Sequence, residues 1–410
     1  MPGDTRLIAV VGAGAAGTMA AIHAAGPGCR VVLLESTSDG GRKILISGGG
    51  RCNILPGTLD ERRFVTDSSP NTLKKLLRAW PLGEQRRFFE ERLDIPLALE
   101  AESGKLFPVS NRARDVRDGL LSAARQAGVE LRFESAVTTV RSLSPAGWEI
   151  GIRGQHSITA DALILATGGL SVPTTGSDGL GLRLAASLGH VVHPTYPALT
   201  PLVAEPPVHG DLSGVSLHVA ISAGGRRSSK SEGGFLFTHR GYSGPSVLDI
   251  SHVPVRARME GEAAPVLVRW GALDAEGWAE VLEARGGGTV LAALRQHLPA
   301  RLAERLTTEA GIDLLQTVAQ LRRGDREALL RRLTRYELPW TNDEGYRKAE
   351  VTGGGVALDQ VDPRTLESRR CPGLFLCGEL LDAFGPIGGY NFAWAWATGR
   401  AAGLGACGWT

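Results

Sequence analysis

Residues 6–37 read RLIAVVGAGAAGTMAAIHAAGPGCRVVLLEST. Leu7 to Val11 is a short apolar run suited to a strand buried on both faces. Gly12, Gly14 and Gly17 complete a G-x-G-x-x-G fingerprint, and Ala15 to Ala25 is a small-residue segment that predicts a helix able to pack close to a sheet. Gly26-Pro27-Gly28 ends that helix, and Arg30 to Leu34 predicts a second strand with Glu35 at its C-terminal end. In such a β-α-β unit the first glycine makes the turn and the second lets backbone approach a pyrophosphate. The third lets helix and strand pack closely, while the free N–H groups of the helix N-terminus attract phosphate. Glu35 lies 18 residues beyond Gly17, placed to bind ribose hydroxyls. The expectation is an α/β protein with a Rossmann-type, glutathione-reductase-like dinucleotide domain.

The next segment decides which dinucleotide. Further β-α units would follow in a nicotinamide domain. Instead, residues 40–53 read GGRKILISGGGRCN. Arg42 and Lys43 have the charge to neutralise phosphate, and Ser47, Gly48, Gly49, Gly50, Arg51, Cys52 and Asn53 offer successive N–H groups with little bulk. The reading is a loop running along an extended cofactor from its pyrophosphate toward its reactive ring. Two more stretches favour FAD. A buried strand, Ala162 to Ala166, breaks into Thr167-Gly168-Gly169, and a strand from Leu374 to Cys377 breaks into Gly378-Glu379. After a glycine turn, a final helix from about Tyr390 aims its positive N-terminus at a ring whose reduced form is often anionic. Asp382 or Glu379 has the chemistry to bond ribityl hydroxyls.

Composition excludes several other classes. A net charge of +2 gives no global field for nucleic acid or membranes, and no apolar run reaches the length of a membrane span. Glycines interrupt the N-terminal apolar stretch where a signal peptide would continue, so a cytoplasmic protein is expected. Five cysteines, odd in number and without a CxxC pair, argue against a disulfide framework, a zinc site or a thiol relay, and no metal is expected. No second G-x-G-x-x-G follows a strand, so NAD(P)H is expected only as a transient reductant. A structural role, a small residue fitting a tight turn, competes with a reactive-thiol role for Cys52.

From His193 to about Val268 the chain is punctuated by Pro and Gly and β-like. From about Trp278 to Arg335 leucines recur at helical spacing. The expected division is an FAD domain over 1–192 and 343–410, interrupted by a small β-barrel-like insert over 193–270 and a helical insert over 271–342.

Several blocks in this order resemble the BaiN-like or aminoacetone-oxidase-like family of bacterial, NAD(P)/FAD-dependent oxidoreductases. They are GAGAAG, GRKILISGGGRCN, GKLFPVSNRARDV, ILATGGLSVPTTGSDGLG, PALTPL, FTHRGYSGPSVLDIS, EVTGGGV and GELLDAFGPIGGYNFAWAWATG. The resemblance implies the discontinuous FAD domain. It also implies non-covalent FAD contacts at Glu35, Arg42, Lys43, 47–53, Thr167, Gly168, Gly378, Glu379, Gly389, Tyr390, Asn391 and Phe392. Ala15, Ala16, Ser36, Gly41, Val137, Ala166 and Gly388 complete the expected cofactor contacts. Where relatives often carry Thr-Asn after Cys-Asn, Asn53 runs into Ile-Leu-Pro-Gly, and Ala393 stands where they often have Gln.

The block ATGGLSVPTTGSDGLG also resembles fumarate-reductase flavoproteins, which reduce polarised C=C bonds. Hydride transfer between flavin and a carbon of a small molecule is therefore the first expectation, with NAD(P)H as electron source. Candidate proton donors or substrate clamps are Tyr196, His239, Arg240, Tyr242 and Tyr390, with Cys52 as a candidate thiol. An amine oxidase acting on an aminoacetone-like substrate and producing hydrogen peroxide is a second expectation. A third is an RNA-modifying enzyme reducing uridine to dihydrouridine in ribosomal RNA. It would grip RNA through Arg322, Arg323, Arg326, Arg331, Arg332 and Arg335, although a solvated helical face has the same composition. A non-enzymatic flavin sensor is a fourth.

Overall fold

The computed structural model describes residues 5–144, 146–283 and 288–408. The chain divides into two compact units, Met1–Thr195 with Val351–Thr410, and Tyr196–Glu350. Positions 284–287 of the expected helical insert lie outside the described residues.

The first unit is built on a five-stranded sheet. Strand β1 (Arg6–Val11) sits at its centre, with β2 (Cys29–Leu34) and Glu130–Arg132 to one side and Ala162–Leu165 and Leu374–Leu376 to the other. Every pairing is parallel. Ile8 to Val10, Leu163 to Leu165, Leu374 and Leu376 are all fully buried, as strands covered on both faces must be. Helix α1 (Ala15–Ala24) connects β1 to β2.

Against α1 lies the C-terminal helix, Tyr390–Cys407. Their approach is set by glycine. A β-carbon at Gly399 would fall 2.3 Å from the carbonyl oxygen of Ala16, and one at Gly403 would fall 2.3 Å from that of Ala20. The first and last segments of the chain therefore close over one core. They are also covalently joined, because Cys29 and Cys407 form a disulfide with Cα atoms 6.2 Å apart. This corrects the expectation drawn from cysteine spacing. The start of β2 and the end of the C-terminal helix meet only in the folded chain, and sequence spacing carries no trace of it.

Two small antiparallel sheets complete this unit. One places Lys105–Pro108 between Leu55–Pro56 and Leu97–Glu100, and the other orders Val137–Ser142, Trp148–Ile152 and Ile158–Ala160.

The second unit is an antiparallel sheet of seven strands around a buried aromatic group containing Phe235, Phe237, Tyr242 and Trp270. The helices from Ala275–Glu283 to Arg323–Thr334 are inserted between adjacent strands of that sheet, Val266–Trp270 and Tyr336–Glu337. Helix and sheet thus belong to one body, whose ends fall at 196 and 350.

Candidate functional site

The turn between β1 and α1 is shaped for a phosphate. Gly12 has φ +102°, and a β-carbon there would lie 2.5 Å from the Ala166 carbonyl oxygen. One at Gly17 would lie 1.8 Å from the Gly12 carbonyl oxygen. Both glycines are required by the fold. Gly14 differs, since its backbone is ordinary (φ −78°, ψ −170°) and nothing lies within 4 Å of an added β-carbon. It precedes a helix whose N-terminus has no side-chain cap, so open space faces free N–H groups.

Glu35 is held at the end of β2. Its Oε2 accepts from the Ala13 N–H at 2.8 Å, and Oε1 accepts from Thr37 N at 2.9 Å, Thr37 Oγ1 at 2.8 Å and Ser36 Oγ at 3.3 Å. The carboxylate is oriented beside the glycine turn, and Oε2, which accepts a single bond, keeps a lone pair for a ribose hydroxyl. Ala15 and Ala16 open helix α1, and Gly41 N donates to Ala13 O at 2.8 Å. Val137 is buried at the start of its strand.

The two basic residues of GGRKILISGGGRCN are not free for phosphate as expected. Arg42 Nε donates to Asp39 Oδ1 at 2.7 Å, turning back onto its own loop. Lys43 Nζ donates to Glu379 Oε2 at 2.8 Å and Ser171 Oγ at 2.7 Å. Ser171 Oγ in turn donates to Glu379 Oε1 at 2.6 Å, as does Thr352 N at 2.9 Å. Burial works against ionisation of Glu379, but the Lys43 ammonium and the Ser171 and Thr352 donors hold its carboxyl below the usual range. Ser171 and Thr352 were missed in reading the sequence, because they lie far along the chain from Lys43.

The glycine run behaves differently. Gly48, Gly49 and Gly50 all have positive φ (55°, 67° and 85°) and are exposed, and nothing lies within 4 Å of an added β-carbon at Gly49. Backbone here is presented outward. Ser47 Oγ bonds Ile44 O at 2.7 Å, and Arg51 pairs with Glu100 at 2.9 Å while lying 4.0 Å over the Phe107 ring. Cys52 is fully buried, and burial pushes its thiol up to about 12. That is the setting of an inert, packing cysteine. Gly48 packs close to the Asn53 backbone, where an added β-carbon would sit 3.1 Å from Asn53 N.

Behind the turn, Ala166 N donates to Val11 O at 2.9 Å, Gly168 has φ +71°, and the buried Thr167 Oγ1 has no partner among the described residues. Gly378 is fixed by the C-terminal helix: its N–H donates to Thr398 Oγ1 at 3.0 Å and its carbonyl accepts from Trp394 Nε1 at 3.0 Å. Asp382 is committed elsewhere. Its Oδ2 accepts from Thr66 Oγ1, Asp67 N, Ser68 N and Ser68 Oγ at 2.8–2.9 Å, which ties down the 66–68 loop. Asn391 holds the turn before the helix through Gly385 N at 2.9 Å and Gly385 O at 3.0 Å. Gly388 and Gly389 have φ +105° and +94°, Gly389 capping the helix that begins at Tyr390, and the Phe392 ring stacks on Trp396.

With these glycine positions placed, the whole-chain match is decisive: the HI0933-like protein Rossmann domain spans residues 6–405. The chain belongs to the HI0933-like Rossmann family. The family is one of FAD-dependent oxidoreductases. This chain is similar to the ribosomal RNA dihydrouridine synthase of Escherichia coli, 33% identical over 95% of each chain. It is also similar to the 3-dehydro-bile acid delta(4,6)-reductase of Clostridium scindens, 32% identical over 97% of this chain and 98% of that one. Among solved structures, 3-ketosteroid delta1-dehydrogenase from Sterolibacterium denitrificans shares the fold, with a TM-score of 0.52 and 12% identity, covering 99% of this chain and 100% of that one.

An FAD fits the HI0933-like frame. The open position at Gly14, the oriented Glu35 and the outward backbone at 48–50 are the features that would hold it. Arg42 and Lys43 contribute as members of ion pairs and not as free charges.

The candidate catalytic side chains fall apart into two groups. Tyr390 is buried beside Arg63, whose NH1 lies 3.4 Å from its hydroxyl. In the second unit His239 and Arg240 are exposed, and Arg240 pairs with Glu205 at 3.0 Å. Tyr196 is buried with Arg256 over its ring. Tyr242 is buried, its hydroxyl donating to Pro339 O at 2.9 Å and meeting His209 Nδ1 at 2.8 Å, and burial raises its phenol. Tyr242 is therefore a core strut and not a proton donor. His209, Tyr336 and Glu309 complete a buried polar cluster that sequence reading missed. Among the described residues no helix is long and apolar enough to cross a membrane, and no metal-binding cluster occurs.

Proposed function

We propose that this protein uses FAD to reduce a C=C bond conjugated to a carbonyl, with NAD(P)H as electron source and uridine in ribosomal RNA as substrate. One observation carries the reading: two relatives aligned over at least 95% of this chain have different substrates in their names, yet those names describe one event, saturation of an activated C=C bond. Bound FAD supplies a two-electron hydride donor for that event. The protein's own part is to orient the reactants and exclude competing routes. In the FAD-holding unit the three cysteines outside the disulfide offer no dithiol relay. Cys52 and Cys377 are buried with thiols pushed up to about 12, and the thiol of Cys371 is raised as well. Direct transfer between flavin and substrate is what remains.

Uridine is favoured because its C5=C6 bond is conjugated to the C4 carbonyl and the E. coli relative is named for making dihydrouridine in ribosomal RNA. Of the six arginines expected to grip RNA, Arg323 is paired with Glu327 at 3.0 Å and Arg332 with Glu309 at 3.1 Å. Arg326 is half-buried. Arg322, Arg331 and Arg335 are exposed and form no ion pair among the described residues, which leaves three cations for phosphate.

The test is nucleoside mass spectrometry on ribosomal RNA incubated anaerobically with the holoprotein and NADPH. Uridine gaining two hydrogens supports the reading. No gain in RNA, with reduction of an unsaturated 3-oxo-steroid instead, would move the substrate to the small-molecule class. Hydrogen peroxide from aminoacetone without either reduction would move the chemistry to amine oxidation.

A further inference from the structure

Lys105 occupies the middle strand of the small sheet Leu55–Pro56, Lys105–Pro108, Leu97–Glu100, facing Pro56 on one side and Glu100 on the other. Its cross-strand neighbour Glu100 is already engaged: Arg51 donates to Oε1 at 2.9 Å and Ser103 Oγ donates to Oε2. Lys105 forms no ion pair among the described residues, although it is only half exposed. Its methylene stem instead crosses the turn that precedes the C-terminal helix. A β-carbon at Gly388 would lie 2.9 Å from Lys105 Cε, 3.4 Å from Cγ and 3.5 Å from Cδ. The next residue, Gly389, is locked on the neighbouring strand, where a β-carbon would lie 2.4 Å from the Leu55 carbonyl carbon. The sheet therefore delivers an unpaired ammonium to the Gly388–Gly389 turn, beside the free N–H groups of an 18-residue helix.

We propose that Lys105 is a positioning charge for the flavin: its ammonium adds to the helix N-terminus in stabilising negative charge on the pyrimidine edge of the isoalloxazine, around N1 and the C2 carbonyl. A lysine held by its stem against backbone, and in no ion pair among the described residues, is placed to act on whatever lies in front of the turn, although Glu100 also feels its charge. With an effective dielectric of about 20, one nearby ammonium changes an equilibrium that creates an anion by on the order of tenfold to a hundredfold. The φ of +105° at Gly388 itself calls for glycine, and a side chain there would in addition displace the lysine stem. The inference rests on the FAD site alone and not on which bond is reduced.

Sulfite tests it without any substrate, because adduct formation at flavin N5 places negative charge on the same N1–C2 edge. The holoprotein, Lys105→Met and Lys105→Arg are titrated with sulfite, and each flavin midpoint potential is measured. We expect Lys105→Met to bind sulfite about tenfold more weakly and its midpoint to fall by about 30 mV, the two-electron equivalent of a factor of ten. Lys105→Arg should stay near the parent, and FAD content should be equal in all three. Unchanged sulfite affinity and potential in Lys105→Met would overturn the proposal. Equal losses in Met and Arg variants would also overturn it, since shape and not charge would then matter. Loss of FAD from Lys105→Met alone would overturn it by assigning the ammonium to cofactor retention.

Discussion

Lys43 Nζ lies 2.8 Å from Glu379 Oε2 across 336 positions of sequence. The pair ties the segment after β2 to the turn that leads into the C-terminal helix. Both side chains are largely withdrawn from water, at 29% and 17% exposure. Lys43 thereby positions the loop and does not serve as a free counter-ion for phosphate.

Replacing Glu379 with Gln should leave a partly buried ammonium without its carboxylate. We expect a stability loss of about 1–3 kcal/mol and faster FAD release, read by denaturant unfolding and by flavin fluorescence after dilution. Its acid dependence has a fixed sign. A carboxyl held below its ordinary value stabilises the fold above that value and loses the contribution as pH falls through the folded value. Parent and variant should therefore converge in acid. A variant as stable as the parent near neutrality would contradict the pairing.

Glu309 sets a second acid transition, inside Tyr196–Glu350. Burial opposes its ionisation, but His209, Arg305 and Tyr336 together lower its carboxyl from an ordinary 4.5 to about 2. The shift is worth about 3 kcal/mol above the ordinary value and is lost between pH 4.5 and 2. Unfolding measured at stepped pH should show that loss, and Glu309→Gln should abolish that part of the slope. Identical slopes would mean the cluster does not hold the carboxylate.

Gly14 and Gly17 should separate binding from folding. A β-carbon at Gly14 meets nothing within 4 Å, whereas one at Gly17 lies 1.8 Å from a carbonyl oxygen. Gly14→Val is expected to fold with a near-parental apoprotein Tm and lose FAD by tenfold or more on the order expected for a blocked contact of about 1.4 kcal/mol. Gly17→Val should fail to fold. Retention of FAD by folded Gly14→Val would place the pyrophosphate elsewhere.

Gly399→Leu should be among the most damaging single changes, because even a β-carbon there lies 2.3 Å from the Ala16 carbonyl oxygen. Separating the two helices is expected to cost more than about 3 kcal/mol, measured as a fall in denaturant midpoint.

What the sequence disclosed follows from physical range. Gly12, Gly14, Gly17 and Glu35 act through local turn chemistry and strand periodicity, so the nucleotide turn and the helix beginning at Tyr390 were legible. So was the need for glycine at 48–50, where three consecutive residues adopt positive φ. Side-chain partners across long separations were not. Lys43 read as a phosphate ligand because Glu379 enters only through the fold, whereas the Asp39 partner of Arg42, three residues before it, was in view and overlooked. Asp382 read as a ribityl ligand, yet its carboxylate closes the loop at 66–68. Cys29 and Cys407, 378 positions apart, could be paired only once the first and last segments were seen to meet. Tyr242 looked like a proton donor in a Gly-Tyr-Ser-Gly turn, but strand alternation turns it into the aromatic core.

The most direct test of the account is the visible flavin band in an anaerobic cuvette, first with NADPH and then with ribosomal RNA. The account predicts that NADPH bleaches the band and that RNA restores it, in proportion to dihydrouridine formed. A band that NADPH leaves unchanged, or a bleached band that neither RNA nor any conjugated C=C compound restores, would contradict it.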